Sequence, residues 1–172
     1  VKTTLQARLL SQCVCKSHQG FTLLELTIVL VIGGILAAIA IPSFLNQANN
    51  AKQVEAKMYL GSLNRAQQEY ILQHSQFTND MQQLGVVPYN SPNYRYSIDL
   101  DANNNLYAVH VAESLSPTLR PYVGMTAIQK PAGEAMVNTV LCESGQAMLG
   151  KAPVPLYDSV SLDCAVGSRN LN

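Results

Sequence analysis

The sequence predicts an α+β fold: one long, kinked N-terminal helix packed on an antiparallel sheet of about four strands. Three observations carry this expectation. An uncharged apolar run, Leu26–Leu45, passes into a stretch with helical periodicity, with Pro42 as the one strong interruption. Short alternating segments follow after residue 93, separated by turn-forming residues. The connections between those segments are too short for parallel crossovers.

The 172 residues carry eleven basic and eleven acidic side chains, but unevenly. Lys2, Arg8 and Lys16 precede Gly20, where there is no acid, so the remainder holds eight bases against eleven acids. That balance does not suit a nucleic-acid binder. Residues 1–19 are basic and mixed in polarity, as in a targeting leader. Cys13 and Cys15 lie there without a ligand cluster nearby.

The run Leu26–Leu45 holds no charged residue. Its twenty residues make a rod of roughly 30 Å, the thickness of a bilayer core. The basic flank precedes it, and the next base is Lys52, so residues 1–20 are expected in the cytoplasm and the rest outside. Cys142 and Cys164 then form the one external pair in an oxidising compartment; free buried thiols are the alternative. An ordinary secretory signal cut after Ala40 competes with this reading, because Ala38-Ile39-Ala40 has the small residues of a cleavage site. The long leader, the length of the apolar run and Glu25 inside it count against that option.

Gly20-Phe21-Thr22-Leu23-Leu24-Glu25, with the basic leader before it and the apolar run and Pro42 after it, resembles the type IV pilin family, which includes the pseudopilins of type II secretion. The resemblance implies a pilus subunit held in the bacterial inner membrane as a precursor. A prepilin peptidase would cut between Gly20 and Phe21 and N-methylate Phe21. A membrane platform with cytoplasmic ATPases would then draw the subunit into a homopolymeric extracellular filament used for motility, adhesion or DNA uptake. It also implies that Glu25 neutralises the amine of a neighbouring subunit during assembly. A carboxylate in an apolar span costs about 2.5 kcal/mol or more at the bilayer centre, so Glu25 calls for a partner, with snorkelling to the headgroups as the plainer reading. A pseudopilin, acting in the periplasm, is the second reading within the family.

Pro42 should kink the helix, and Gly33-Gly34 weaken it. Residues 44–74 are amphipathic: Leu45, Ala48, Ala51, Tyr59, Leu63, Ala66 and Tyr70 form the expected buried stripe. Asn49, Gln53, Lys57, Asn64 and Gln68 are expected off it. Residues 75–93 form a connector, with a short helical turn from Thr78 to Leu84 stopped by Gly85. Strands are expected at Tyr94–Leu100, Leu106–Ala112, Tyr122–Gln129 and Met136–Cys142. This divides the chain into a leader (1–20), a membrane or filament-core helix (21–43) and a head (44–172), whose sheet spans 94–142 and whose tail, 142–172, is a loop closed by Cys142 and Cys164.

Chemistry is sparse. Asp99, Asp101, Asn103 and Asn105 have the spacing of half a calcium loop, but Asn104 replaces the glycine and His110 the closing glutamate. A hairpin turn explains the same residues. His74 is expected as a surface cap and His110 as a half-buried strand residue. No phosphate loop or nucleophile elbow is present, so neither catalysis nor a cofactor is expected.

Overall fold

The computed structural model describes residues 21–89, 91–102 and 106–171. The leader, with Gly20, Cys13 and Cys15, lies outside them, as do Asn103 and Asn105. The chain forms two units, Val1–Ser43 and Phe44–Asn172. One helix, α1, spans Leu23–His74, with Pro42 inside it.

The head contains β1 (Tyr94–Leu100), β2 (Tyr107–Ser114), β3 (Tyr122–Gln129), β4 (Met136–Ser144), β5 (Leu156–Tyr157), β6 (Leu162–Asp163) and β7 (Ser168–Asn170). The main sheet runs β1-β2-β3-β4-β7, antiparallel throughout, and β5 and β6 form a small hairpin. Two strands begin and end where the sequence places them, at Tyr94–Leu100 and Tyr122–Gln129. The other two start within a residue of expectation and run two residues longer, to Ser114 and Ser144. The fifth strand, β7, was not legible because three residues leave no countable alternation. The Thr78–Leu84 segment holds a single turn: the Leu84 N–H donates to the Asp80 carbonyl at 3.3 Å, the Asp80 side chain accepts the Gln82 N–H, and Gly85 ends it with φ +67°.

Strand alternation sorts the side chains into two layers. Ala108, Ala112 and Tyr122 face Ala56, Leu60, Leu63 and Ile71 of α1 in one core. Val109, Val111, Val123, Met125, Ala127, Val140 and Cys142 form a second core on the other face, packed by Tyr107, Tyr157, Leu162 and Cys164. The C-terminal segment is therefore a cover for the sheet rather than a free loop.

The buried stripe of α1 differs from the expected one. Its buried members are Gln53, Ala56, Leu60, Leu63, Asn64, Gln67 and Ile71. Leu45 and Ala51 are exposed, and Ala48, Tyr59, Ala66 and Tyr70 are half-buried. Three amides sit in the core because each has a partner there, which removes the penalty that a hydropathy pattern assumes. The Gln67 side-chain N–H donates to the Thr78 carbonyl at 2.7 Å and thereby ties α1 to the connector.

Candidate functional site

The N-terminal unit presents an unusual surface. Every large apolar side chain from Phe21 to Leu45 is at least half exposed. Mean hydropathy reaches 2.6 over an eighteen-residue window, long and apolar enough to cross a membrane. Burying fifteen such side chains is worth on the order of 20–40 kcal/mol, so water is a poor solvent for this segment. Thr22 opens the helix: its hydroxyl oxygen accepts the Glu25 N–H at 3.2 Å, and its carbonyl accepts the Leu26 N–H at 3.1 Å. Thr22 and Glu25 thus hold the N-cap and N3 positions of a capping-box pattern. The sequence analysis assigns Thr22 no role, although Thr-x-x-Glu before an apolar run is the signature of this cap. Glu25 is exposed at the positive end of the helix dipole, an electrostatically favourable place for a carboxylate.

In the head, a polar knot joins α1 to the sheet. Asn64 donates through Nδ2 to the Val140 carbonyl at 3.1 Å and accepts from His110 Nδ1 at 2.7 Å. Thr126 Oγ1 donates to the Asn64 carbonyl at 3.3 Å. Asn64 reaches the sheet because residue 124 is glycine: a Cβ there would lie 2.6 Å from Asn64 Oδ1. His110 is fully buried, not half-buried as its strand position suggested, and burial lowers its pKa to about 3. The imidazole is therefore neutral, with the proton on Nδ1 and a buried Nε2 that has no partner among the described residues. His74 is exposed as expected, stacked on Tyr70 with ring centroids 4.1 Å apart.

A second cluster surrounds Glu143, whose side chain is only 4% exposed. Arg169 of β7 lies 2.6 Å away, Arg120 3.4 Å and Lys57 of α1 4.0 Å. The Tyr122 hydroxyl stands 2.9 Å from Gln53 Oε1 and 3.2 Å from Glu143 Oε1. Burial alone would raise the Glu143 pKa, but the Arg169 hydrogen bond and the charges of Lys57, Arg169 and Arg120 outweigh it, and the net shift is downward. Burial, and then the Glu143 charge, push the Tyr122 phenol well above its usual range.

Cys142 of β4 is bonded to Cys164, with Cα atoms 5.7 Å apart. The bond fastens the β5–β6 region across the second core. The two carboxylates of the calcium-like stretch have other partners. Asp99 pairs with Lys151 at 3.7 Å, and Asp101 accepts the Leu106 N–H at 3.3 Å across the β1–β2 turn. Among the described residues no group of three or more His, Cys, Asp or Glu is placed to hold a metal.

An exposed apolar helical segment that opens on a capped acidic turn thus precedes a disulfide-fastened α+β head. The profile of the type IV pilin-like G and H family matches residues 53–165, and that of the prokaryotic N-terminal methylation motif matches residues 15–41. The chain belongs to the type IV pilin-like family. It is similar to the type IV major pilin protein PilA of Myxococcus xanthus, with 38% identity over 51% of this chain and 40% of that protein. A fimbrial protein of Neisseria meningitidis serogroup B is 31% identical over 56% of this chain and 57% of its own length. The type II secretion system core protein G of Klebsiella michiganensis is 32% identical over 47% and 59%. The chain thus spans about half the length of the curated relatives it matches. No solved structure matches it.

Proposed function

We propose that this chain is a structural subunit of a type IV pilus. The observation that carries the proposal is the methylation motif at residues 15–41 together with a helix whose large apolar side chains up to Leu45 are all exposed. On this reading a prepilin peptidase cuts between Gly20 and Phe21 and methylates Phe21. The new amine then lies about one helical turn from Glu25. Before assembly the apolar segment is dissolved in inner-membrane lipid; afterwards it is buried among copies of itself, where Glu25 meets the amine of a neighbour. Pro42 supplies the bend that lets the segment pack, and a membrane platform with cytoplasmic ATPases drives the transfer to the cell surface. The filament serves adhesion, motility or DNA uptake. The role is structural, without catalysis by this chain.

Mass spectrometry of the mature chain tests the cleavage. The expected product begins with methyl-Phe21, whereas a first residue of Ile41 identifies an ordinary signal peptide and a secreted binding protein instead. Replacement of Gly20 by a bulky residue should leave full-length precursor in the membrane.

A pseudopilin of type II secretion is the second reading, favoured by the likeness to core protein G. Shearing of cells distinguishes the two, since pilus subunits are released as filaments and a periplasmic pseudopilus is not.

A further inference from the structure

The Glu143 cluster holds more cations than its carboxylate can neutralise. Lys57, Arg120 and Arg169 surround one buried acid, which leaves an excess of two positive charges. Arg169 gives Glu143 a hydrogen bond from Nη2 at 2.6 Å, and a guanidinium carries five N–H donors. The Lys57 ammonium lies 4.0 Å from Glu143, beyond hydrogen-bond reach, and 5.4 Å from the centre of the Tyr122 ring. The three cationic side chains are a third to two-thirds exposed. Glu143 thus gathers them from within, and they line a cleft of about 290 Å³ together with Asn50, Gln53 and Val54. That volume is at the small end of the range for ligand clefts. The nearest acids are turned elsewhere. Glu55 lies about 160° around α1 from Lys57 and accepts the Tyr96 hydroxyl at 3.3 Å. Glu113 pairs with Arg95 at 3.5 Å, and its alternate neighbours on β2, Val109 and Val111, belong to the core on the opposite face of the sheet. Asp163 lies between Leu162 and Cys164, which pack against that same far core.

Two features of the cleft select the chemistry of its occupant. The first is position along α1. The apolar run ends at Leu45, and Asn50 follows by five residues, about 8 Å of helical rise. The polar headgroup layer takes up roughly 5–8 Å of each leaflet. With the apolar run in hydrocarbon, the Asn50 end of the cleft stands at the level of the lipid headgroups. The second feature is Val54, which lines the cleft and is 48% exposed, with Met58 71% exposed one turn further on. Apolar contact beside an excess of cations suits a ligand that joins a phosphate to hydrocarbon. A free phosphate would use the cations alone.

We propose that the Lys57–Arg120–Arg169 cleft binds the headgroup phosphate of an anionic phospholipid while the chain is held in the membrane. The inference rests on the membrane-precursor reading above and adds a ligand class and the residues that take it. Arg120 and Arg169 hold the phosphate oxygens, Lys57 adds charge, and Val54 meets the apolar part of the lipid. Glu143 is a positioning residue, which keeps the three cations together.

The test purifies the full chain from membranes in detergent, loads it with a mixture of phosphatidylglycerol and phosphatidylcholine, and reads the retained lipid by native mass spectrometry. The wild-type chain should retain phosphatidylglycerol in preference to phosphatidylcholine. Arg120→Gln together with Arg169→Gln should weaken phosphatidylglycerol binding roughly thirtyfold, as expected for the loss of two cations facing an anionic headgroup. That pair also strips partners from Glu143, so Val54→Glu is the companion variant. It leaves every Glu143 ion pair in place and should weaken binding about tenfold. Arg95→Gln removes a cation outside the cleft and should change nothing. Equal retention of the two lipids by the wild-type chain would overturn the proposal, as would wild-type retention by either cleft variant. Displacement of phosphatidylglycerol by an equal concentration of inorganic phosphate, or of a DNA duplex, would also overturn it by giving the cleft to a free anion or to nucleic acid. Fractionation separates this inference from the reading beneath it. A chain recovered outside the membrane with Ile41 first fails the precursor reading and the lipid site with it, whereas a membrane-bound chain without lipid preference fails the lipid site alone.

Discussion

Replacing Gly124 by alanine places a Cβ 2.6 Å from Asn64 Oδ1 and 3.1 Å from Nδ2, inside any tolerable contact. The main chain of β3 is pinned on both sides by β2 and β4, so the Asn64 side chain must swing away. Its displacement strands the His110 Nδ1–H and the Val140 carbonyl, both bound to Asn64 at 2.7 and 3.1 Å. A buried polar group left without a partner costs about 1–3 kcal/mol, so Gly124→Ala should destabilise the chain by about 2–4 kcal/mol. That is a large share of a typical stability of about 5–15 kcal/mol. Asn64→Ala loses the same hydrogen bonds without a clash and should cost about 2–4 kcal/mol by itself. Once residue 64 is alanine, the added methyl at 124 meets no obstacle, and the double substitution should be no worse than Asn64→Ala alone. The coupling energy between the two sites is therefore expected at about 2 kcal/mol or more. Urea denaturation of the detergent-solubilised full chain, followed by circular dichroism, measures it. Simple additivity of the two single effects would refute the argument that Gly124 exists to admit Asn64.

Further perturbations probe other parts of the molecule. His110 has a folded pKa of about 3 against an ordinary 6.5, so the unfolded chain takes up a proton that the folded one refuses. The stability it contributes is complete above pH 6.5 and falls by about 1.4 kcal/mol per pH unit as pH drops toward 3; His110→Gln should flatten a denaturation-versus-pH curve between pH 6 and 5. The Glu143 pKa is lowered, so its contribution is present above the unfolded value of 4.5 and lost as pH falls through the folded one. Glu143→Gln should accordingly weaken the chain at pH 7 and narrow the gap to wild type in acid, as read by melting temperature. Removing the Cys142–Cys164 bond by double serine substitution opens a loop with a sequence separation of 22, which should cost about 3 kcal/mol and increase protease nicking of residues 145–163. Glu25→Ala should leave cleavage of the precursor intact yet lower filament yield in sheared fractions; wild-type yield would refute the pairing of Glu25 with the amine.

What was legible in the sequence depended on whether a side chain obeys its average. Strand ends at Tyr94, Leu100, Tyr122 and Gln129 follow from alternation and from turn residues, which act locally and survive folding unchanged. The apolar segment was readable because every residue in it has the same preference. The buried stripe of the head was not readable, because Gln53, Asn64 and Gln67 are polar by average and buried in fact. Each is satisfied by a group distant in sequence: Tyr122 for Gln53, His110 and Val140 for Asn64, Thr78 for Gln67. Local periodicity cannot anticipate partners that lie 11 to 76 residues away. The Glu143 cluster escaped for the same reason, since its cations arrive from residues 57, 120 and 169.

The two stretches of α1 therefore solve different problems with the same backbone. Residues 26–45 are apolar all round, so nothing in their own chemistry selects one rotation about the helix axis, which suits the proposed transfer of this segment from lipid to copies of itself. Residues 53–71 place amides among leucines, and each amide fits one partner only. Leucine and alanine alone would permit the helix to slide or turn on the sheet at little cost, because hydrophobic burial is non-directional. Hydrogen bonds are directional, and displacing Asn64 by one turn would leave His110 and Val140 unpaired in a dry core. The amides fix the register at which Lys57 reaches Glu143, and thus the placement of the ion-pair cluster. Asn64→Ala should for that reason disturb the Lys57–Glu143 pair as well as the fold, and by more than Leu63→Ala, a core change of similar cost, about 2–5 kcal/mol, that leaves the register intact; NMR titration of the Glu143 carboxyl reads the difference.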